Sequence, residues 1–180
     1  MPVISSAITA YSAVFYRVQS LFEPLALLCL RLAGAKVFWD SGLSKWNGFL
    51  QFDKGKYDLF LYEFFCPDPV RSGALQLCDP NTLDYSEGSL TVTAIKTLAV
   101  MAGVMEVMLA LMLVPGFLSR FAALGLLGMT LFIQLAVFPS WSHWWSPAMY
   151  WAVIMFALAM IGPGAWSLDR LLGLERGRNA

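Results

Sequence analysis

The chain reads as an all-α integral membrane protein, a four-helix bundle with a long extracytoplasmic loop between its first and second helices. Three observations carry that expectation. Only 13% of the residues are charged and 58% are hydrophobic, whereas soluble domains carry about 25% charged residues. Mean hydropathy is +0.64 in a chain of 20.0 kDa, and a domain of that size cannot hide so much apolar surface in a soluble core. Finally, four segments each supply the roughly 20 mostly apolar residues that cross a ~30 Å hydrocarbon layer.

The elements follow in order. Residues 1–22 mix Ser, Thr, Tyr and apolar side chains with a single charge, Arg17. They are too polar for a span and fit an interfacial helix leading into the membrane. The first span is expected over 24–46, inside a four-helix domain covering 23–172. An outer loop, 47–90, separates it from the second span at 91–114; within the loop, KYDLFLYEFF suits a short aromatic helix or re-entrant segment. The break Pro115-Gly116 precedes a third span at 117–138. The fourth, 146–166, opens with Pro147 in its first turn and closes on Gly162-Pro163-Gly164, in keeping with the usual start and stop residues of helices. A polar tail, 173–180, follows. Trp141, Trp144 and Trp145 suit the aromatic belt of a membrane interface.

Sidedness comes from the Lys/Arg bias of short flanking segments. Arg17, Arg120, Arg170, Arg176 and Arg178 fall on one side, assigned to the cytoplasm together with both termini. The opposite loop holds Lys54, Lys56 and Arg71, outnumbered by Asp53, Asp58, Glu63, Asp68, Asp79, Asp84 and Glu87, although acids weigh little in that rule. No basic leader with a cleavage site precedes the first apolar run, so insertion is expected to rest on the spans themselves. With zero net charge, nothing resembles a nucleic-acid footprint.

Cys66 and Cys78 stand twelve positions apart in the outer loop. In an oxidising compartment they can staple it, contributing about 3 kcal/mol. The other reading is a redox-active or metal-binding pair, although the spacing is neither C-x-x-C nor a zinc pattern. Cys29 falls within the first span as a packing residue. No metal site is expected; the Met-rich VMEVMLALM has the helical spacing of packing.

RLAGAKVFWDSGLSKW, residues 31–46, places four ionisable groups in an apolar neighbourhood. Such groups cost several kcal/mol within a span unless paired, hydrated or near an interface. Matching expected depths puts Arg31 level with Glu106, as an interhelical ion pair. Nearer the outer face the same counting groups Asp40, Lys45, Lys96 and Gln134. Lys36 and Asp40 are i,i+4 neighbours, and Arg31, Phe38, Gly42 and Lys45 share another face. Gly34, Ala35, Gly42, Gly103, Gly125 and Gly128 offer close approach between helices. Two interpretations stay open: charges that set helix register, with Lys45 and Lys96 snorkelling outward, or a polar pocket for a quinone head group or an anion. His143, the single histidine, is either a hydrogen-bonded interfacial residue or a group titrating beside Lys45 or Asp40.

The 31–46 block, with its Arg, small residues, Gly and terminal Lys, resembles the first-helix pattern of the DoxX/DoxD-like family. Glu106, the Pro115-Gly116 turn and Arg120-Phe-Ala-Ala-Leu-Gly resemble its next block, and MIGPGAWSLDRLLG is similar to its ending, so the likeness runs over about 25–172. Arg31, Gly42, Lys45, Glu106 and Arg120 are the positions it carries over. The resemblance implies a small bacterial inner-membrane protein, in a family associated with quinone-linked thiosulfate oxidation and with complexes of oxidative or metal stress. It implies no catalytic residue, and a fold does not specify a reaction.

Three functions follow as expectations. The first is an auxiliary or quinone-interacting subunit of a membrane redox or stress-response system, with quinone among Trp39, Trp46, Lys45 and Gln134, since it needs an apolar slot and a few donors. A single histidine excludes two-histidine haem ligation within one chain. The second is a non-catalytic anchor for a membrane or periplasmic partner in metal or oxidative stress. The third is a small transporter acting as a homo-oligomer, because four helices leave little room for alternating access and no inverted repeat is visible. Whether the chain turns over a substrate is left open.

Overall fold

The structure is a computed structural model that describes residues 2–86 and 88–175, with side chains from residue 11 onward. Glu87, Arg176 and Arg178, used above for sidedness, lie outside the described residues, as does most of the polar tail.

Helix α1 runs Pro2–Leu43. The arm expected as an interfacial helix leading into the first span is helical over 2–22 and runs on into the first apolar segment across Pro24, with no glycine or proline within 3–22 to break it. The helix stops at Leu43, before Lys45 and Trp46. The chain then turns through a small antiparallel hairpin, β1 (Trp46–Gly48) and β2 (Gln51–Phe52). Asp53 caps α2 (Lys54–Asp58) by accepting from the Gly55 amide, and α2 continues as π-helix over Leu59–Phe64. KYDLFLYEFF is therefore a short aromatic helix. An irregular segment follows, tied by a disulfide between Cys66 and Cys78.

Helix α3 spans Leu90–Leu113, opened by Ser89, whose hydroxyl accepts from the Thr91 amide. After the Pro115–Leu118 turn, α4 covers Ser119–Phe132 and continues as π-helix through Val137. Short α5 (Trp141–His143), a π-helical turn to Ala148 and α6 (Met149–Ile161) follow, with a break in helical geometry at Ser146 (φ −156°, ψ 108°). Gly162 ends α6 at φ +94°, a conformation open to glycine. One more turn, α7 (Leu168–Leu171), closes the described chain.

Among the described residues, three helical segments are long and apolar enough to cross a membrane by length and composition: Leu90–Leu113, Ser119–Val137 and Trp141–Ile161. The expected span at 24–46 lies in α1, which is not among these three, and its helix ends at Leu43. Its 24–43 stretch nevertheless packs along α3 and α6, while α4 lies between α3 and α6. The main core is Ala35, Phe38, Leu109, Leu113, Leu126, Met155 and Leu158 with alanines between them. A second core joins Phe60, Leu61 and Phe65 to Ile95, Ala99 and Val137, seating the loop on the ends of α3 and α4.

Small residues set the helix spacing. A Cβ at Gly34 would fall 2.2 Å from the Met155 Cε, at Gly42 2.7 Å from a Val107 methyl, and at Gly125 2.8 Å from a Leu109 methyl. Gly103 likewise leaves no slack beneath Lys45 and Trp46. Gly128 departs from the expectation: nothing lies within 4 Å of its would-be Cβ.

Candidate functional site

Helices α1 and α3 run antiparallel in a register that decides where each ion goes. Gly42 lies against Glu106 and Val107, and the Arg31 guanidinium donates to the Val114 carbonyl. The expected Arg31–Glu106 pair is therefore not formed. Glu106 lies some eight to ten residues along α3 from Arg31's level, about 12–15 Å at 1.5 Å per residue. Equal depth for Arg31 and Glu106 would require Pro24 and Val114 to share a plane, whereas Val114 lies level with Arg31. In the fold, α3 extends past the end of α1 to meet the loop.

Glu106 pairs instead with Lys45, Nζ to Oε2 at 2.5 Å. Both are buried, with 4% and 9% of their surface exposed. Lys45 also donates to the backbone carbonyl and hydroxyl of Ser41, at 3.1 Å each. The hairpin closes over this pair: the Lys45 Cδ, Trp46 Nε1 and Phe52 ring all lie 3.3–3.4 Å from the position a Cβ on Gly103 would take. Trp46 and Phe52 stack edge to face with centroids 5.3 Å apart. Ser41 and Phe52 had no signal in the sequence. Ser41 lies one helical turn before Lys45, and Phe52 arrives only through the hairpin.

The remaining ions do other work. Arg31, 1% exposed, donates to the carbonyls of Val114 and Trp166 at the ends of α3 and the segment after α6. Arg120 donates to the carbonyls of Ala159, Met160 and Ile161 and pairs with Glu175. Asp169 accepts from the amides of Leu118 (2.7 Å) and Ser119 (2.8 Å), fixing the left-handed Leu118 (φ +44°) that starts α4. Cations at helix C-termini and an anion at an N-terminus complement the backbone dipoles and satisfy groups that hydrocarbon cannot. The only sequence signal near Asp169 is Ser167-x-Asp169, whose serine caps the short helix α7 by accepting from the Arg170 amide.

Lys36 and Asp40 pair at 2.6 Å but face away from the bundle, side chains 74% and 58% exposed. Lys96 sits over the Tyr57 ring, 5.8 Å from its centroid. Gln134 is buried and binds elsewhere: its Oε1 lies 2.6 Å from the His143 Nδ1, and its Nε2 donates to the Ser140 carbonyl. His143 stacks on Phe138 at 4.8 Å, so its partners are Gln134 and Phe138 rather than Lys45 or Asp40. Trp39 packs against the main core. Of the predicted cluster, the fold joins only Lys45 with Glu106 and Lys36 with Asp40. The disulfide segment clamps the Gln134–His143 side, since Arg71 donates to the Glu63 and Val137 carbonyls and lies 4.4 Å above Phe138.

Three apolar crossing helices, together with ions that satisfy helix ends, define a multi-pass helical membrane protein. The DoxX family model matches residues 26–139. The chain belongs to the DoxX family, whose membrane proteins are often associated with redox or stress systems. The match takes in Arg31, Lys45, Glu106 and Arg120 but stops before the terminal Gly162–Asp169 block. No curated protein and no solved structure matches the chain.

Proposed function

We propose that the chain is a bacterial inner-membrane protein with cytoplasmic termini, in which residues 24–43 of α1 supply a fourth span and residues 44–89 face outward. It serves as an auxiliary, quinone-interacting subunit of a membrane redox or stress-response system. The observation carrying this is the buried Lys45–Glu106 pair. A buried pair is weak support for stability, because desolvation offsets the attraction, and although Lys45 also donates to the Ser41 carbonyl in the last turn of α1, Glu106 lies within α3 and caps no helix.

The donor set suits a quinone head group. Lys45 presents ammonium protons to a carbonyl oxygen, Glu106 accepts from a hydroxyl, and Trp46 and Phe52 supply an apolar slot. When bound, the quinone would supply two-electron, two-proton redox chemistry. Trp46 and Phe52 now close over the pair, so entry requires the hairpin to move aside. Purification of the full chain in mild detergent, followed by quinone extraction and mass spectrometry, tests the proposal. Quinone should accompany the native chain and be lost, per mole of folded protein recovered, in Glu106→Gln. If Glu106→Gln fails to accumulate, Lys45→Met/Glu106→Met serves instead, because it removes both charges together. Only phospholipid with the native chain would refute quinone binding.

Anchoring of a partner is the second reading, favoured by the first half of α1. Tyr11, Phe15, Tyr16 and Leu21 are all exposed there, beyond the packed helices. A protein co-purifying with the native chain and lost when residues 2–22 are deleted would support it.

A further inference from the structure

A cleft of about 400 Å³ opens where α2 and its π-helical extension meet the segment before α3 and that helix's first two turns. Ligand pockets typically fall between about 300 and 1,000 Å³. Its walls carry opposite charges: Asp58 and Asp84 from the loop, Lys96 and Thr93 from α3. Tyr62 and Tyr85 form an aromatic corner between them, edge to face at 6.0 Å.

That corner is held in place. The Tyr85 hydroxyl donates to the Leu61 carbonyl at 2.8 Å. Asp84 accepts from the Tyr85 amide at 2.8 Å and from the Tyr62 hydroxyl at 3.3 Å. Desolvation, then Tyr62 and Asp84, push the Tyr85 phenol up to about 12, so the ring stays neutral and electron-rich. By contrast, among the described residues the side chains of Asp58 and Lys96 have no ion-pair partner, and the Lys96 ammonium lies over the Tyr57 ring. Asp84 is already engaged by the Tyr62 hydroxyl and the Tyr85 amide, so Asp58 is the carboxylate left for a ligand, and it shares the cleft with Lys96 and a neutral aromatic corner.

We propose that this cleft binds a zwitterion of the ammonium–phosphate class, its ammonium between Asp58 and the Tyr62–Tyr85 corner and its phosphate on Lys96. Aromatic faces and carboxylates attract ammonium groups, and a lysine meets phosphate as a point charge. A neutral ligand would leave both side chains unmatched, and a singly charged one would leave one of them. The source is either a lipid head group, taken at the membrane surface where α3 begins, or a free amino-alkyl phosphate. The site is independent of Glu106 and stands whether or not quinone binds.

Native mass spectrometry of the full chain in detergent, titrated with short-chain lipids, tests this. Phosphatidylethanolamine should bind more tightly than phosphatidylglycerol, which lacks the ammonium, and than an alkylammonium, which lacks the phosphate. Asp58→Asn should bring phosphatidylethanolamine down to the level of phosphatidylglycerol, and Lys96→Gln down to that of the alkylammonium, each a loss of about tenfold if one charge-assisted contact disappears. Both side chains are exposed, so folding should persist, and an unchanged circular dichroism spectrum checks it. Binding of free phosphoethanolamine as tight as the lipid's assigns a soluble ligand; binding of the lipid alone assigns the head group. Equal affinity for phosphatidylethanolamine, phosphatidylglycerol and the alkylammonium, or no change in either variant, overturns the proposal.

Discussion

Glu106→Gln tests the energetics of the buried pair directly. Two unit charges 2.5 Å apart attract by about 7 kcal/mol at an effective dielectric near 20. Desolvation costs several kcal/mol per ion and cancels much of that gain. The native pair is therefore close to neutral, yet removing one partner strands the other. Lys45 would keep its two bonds to Ser41 but lose its counter-charge beneath Trp46 and Phe52. Breaking such a pair costs about 3–5 kcal/mol, whereas replacing both members with apolar residues of similar volume is neutral or stabilises by about 1–4 kcal/mol. Glu106→Gln should lower the unfolding midpoint in detergent, followed by tryptophan fluorescence, and Lys45→Met/Glu106→Met should restore it. Lys45→Met alone should fall with Glu106→Gln, giving a large coupling in the double-mutant cycle. Additive single and double effects, or a fully stable Glu106→Gln, would refute the view that these charges balance each other in a dry interior.

Further outcomes are expected at four places in the fold. Gly116→Ala should cost more than about 2 kcal/mol, because its Cβ would lie 2.1 Å from the Arg31 Nη1 at φ +73° and strain adds to the clash; Gly128→Ala, in open space, should be neutral or stabilise by up to about 1 kcal/mol, both by thermal melts in detergent. Arg31→Met should cost about 3 kcal/mol, since two carbonyls lose a charged donor, read as reduced membrane yield and a lower melting point. Intact mass without reductant should run two hydrogens below the reduced chain, and Cys66→Ser should speed proteolysis between residues 67 and 77 if the staple contributes about 3 kcal/mol. Spectrophotometric titration near pH 12 should show a late phenol absent from Tyr85→Phe, as its pKa is raised to about 12. Because the folded state holds that proton more tightly, the phenol's stabilising contribution is complete below pH ~10 and is lost as pH rises through 12.

Much of the site could be read along the chain. Arg31, Phe38 and Gly42 do share one buried face of α1, as helical periodicity required, and Lys45, two residues past its end, is buried as well. Gly34, Gly42 and Gly125 do mark close approaches. Cys66 and Cys78 do bond. Pairing across helices was a different matter. Arg31 and Lys45 are both long cations on the same face, and nothing local says which one meets Glu106.

Composition and hydropathy alone determined that this chain is helical and membrane-bound, because hydrocarbon admits only helices and closed barrels, and continuous apolar runs of about 20 residues have the length of a helix crossing and not of a barrel strand. They could not say how far one helix slides along another. Two apolar cylinders can pack in several registers at similar cost, and the choice falls to features distant in sequence: the hairpin seated over α3, the Pro115–Leu118 turn held by Asp169, and the carbonyls that claim Arg31. Tertiary structure thereby assigned Lys45 to Glu106 and sent Arg31 to the opposite end of the bundle.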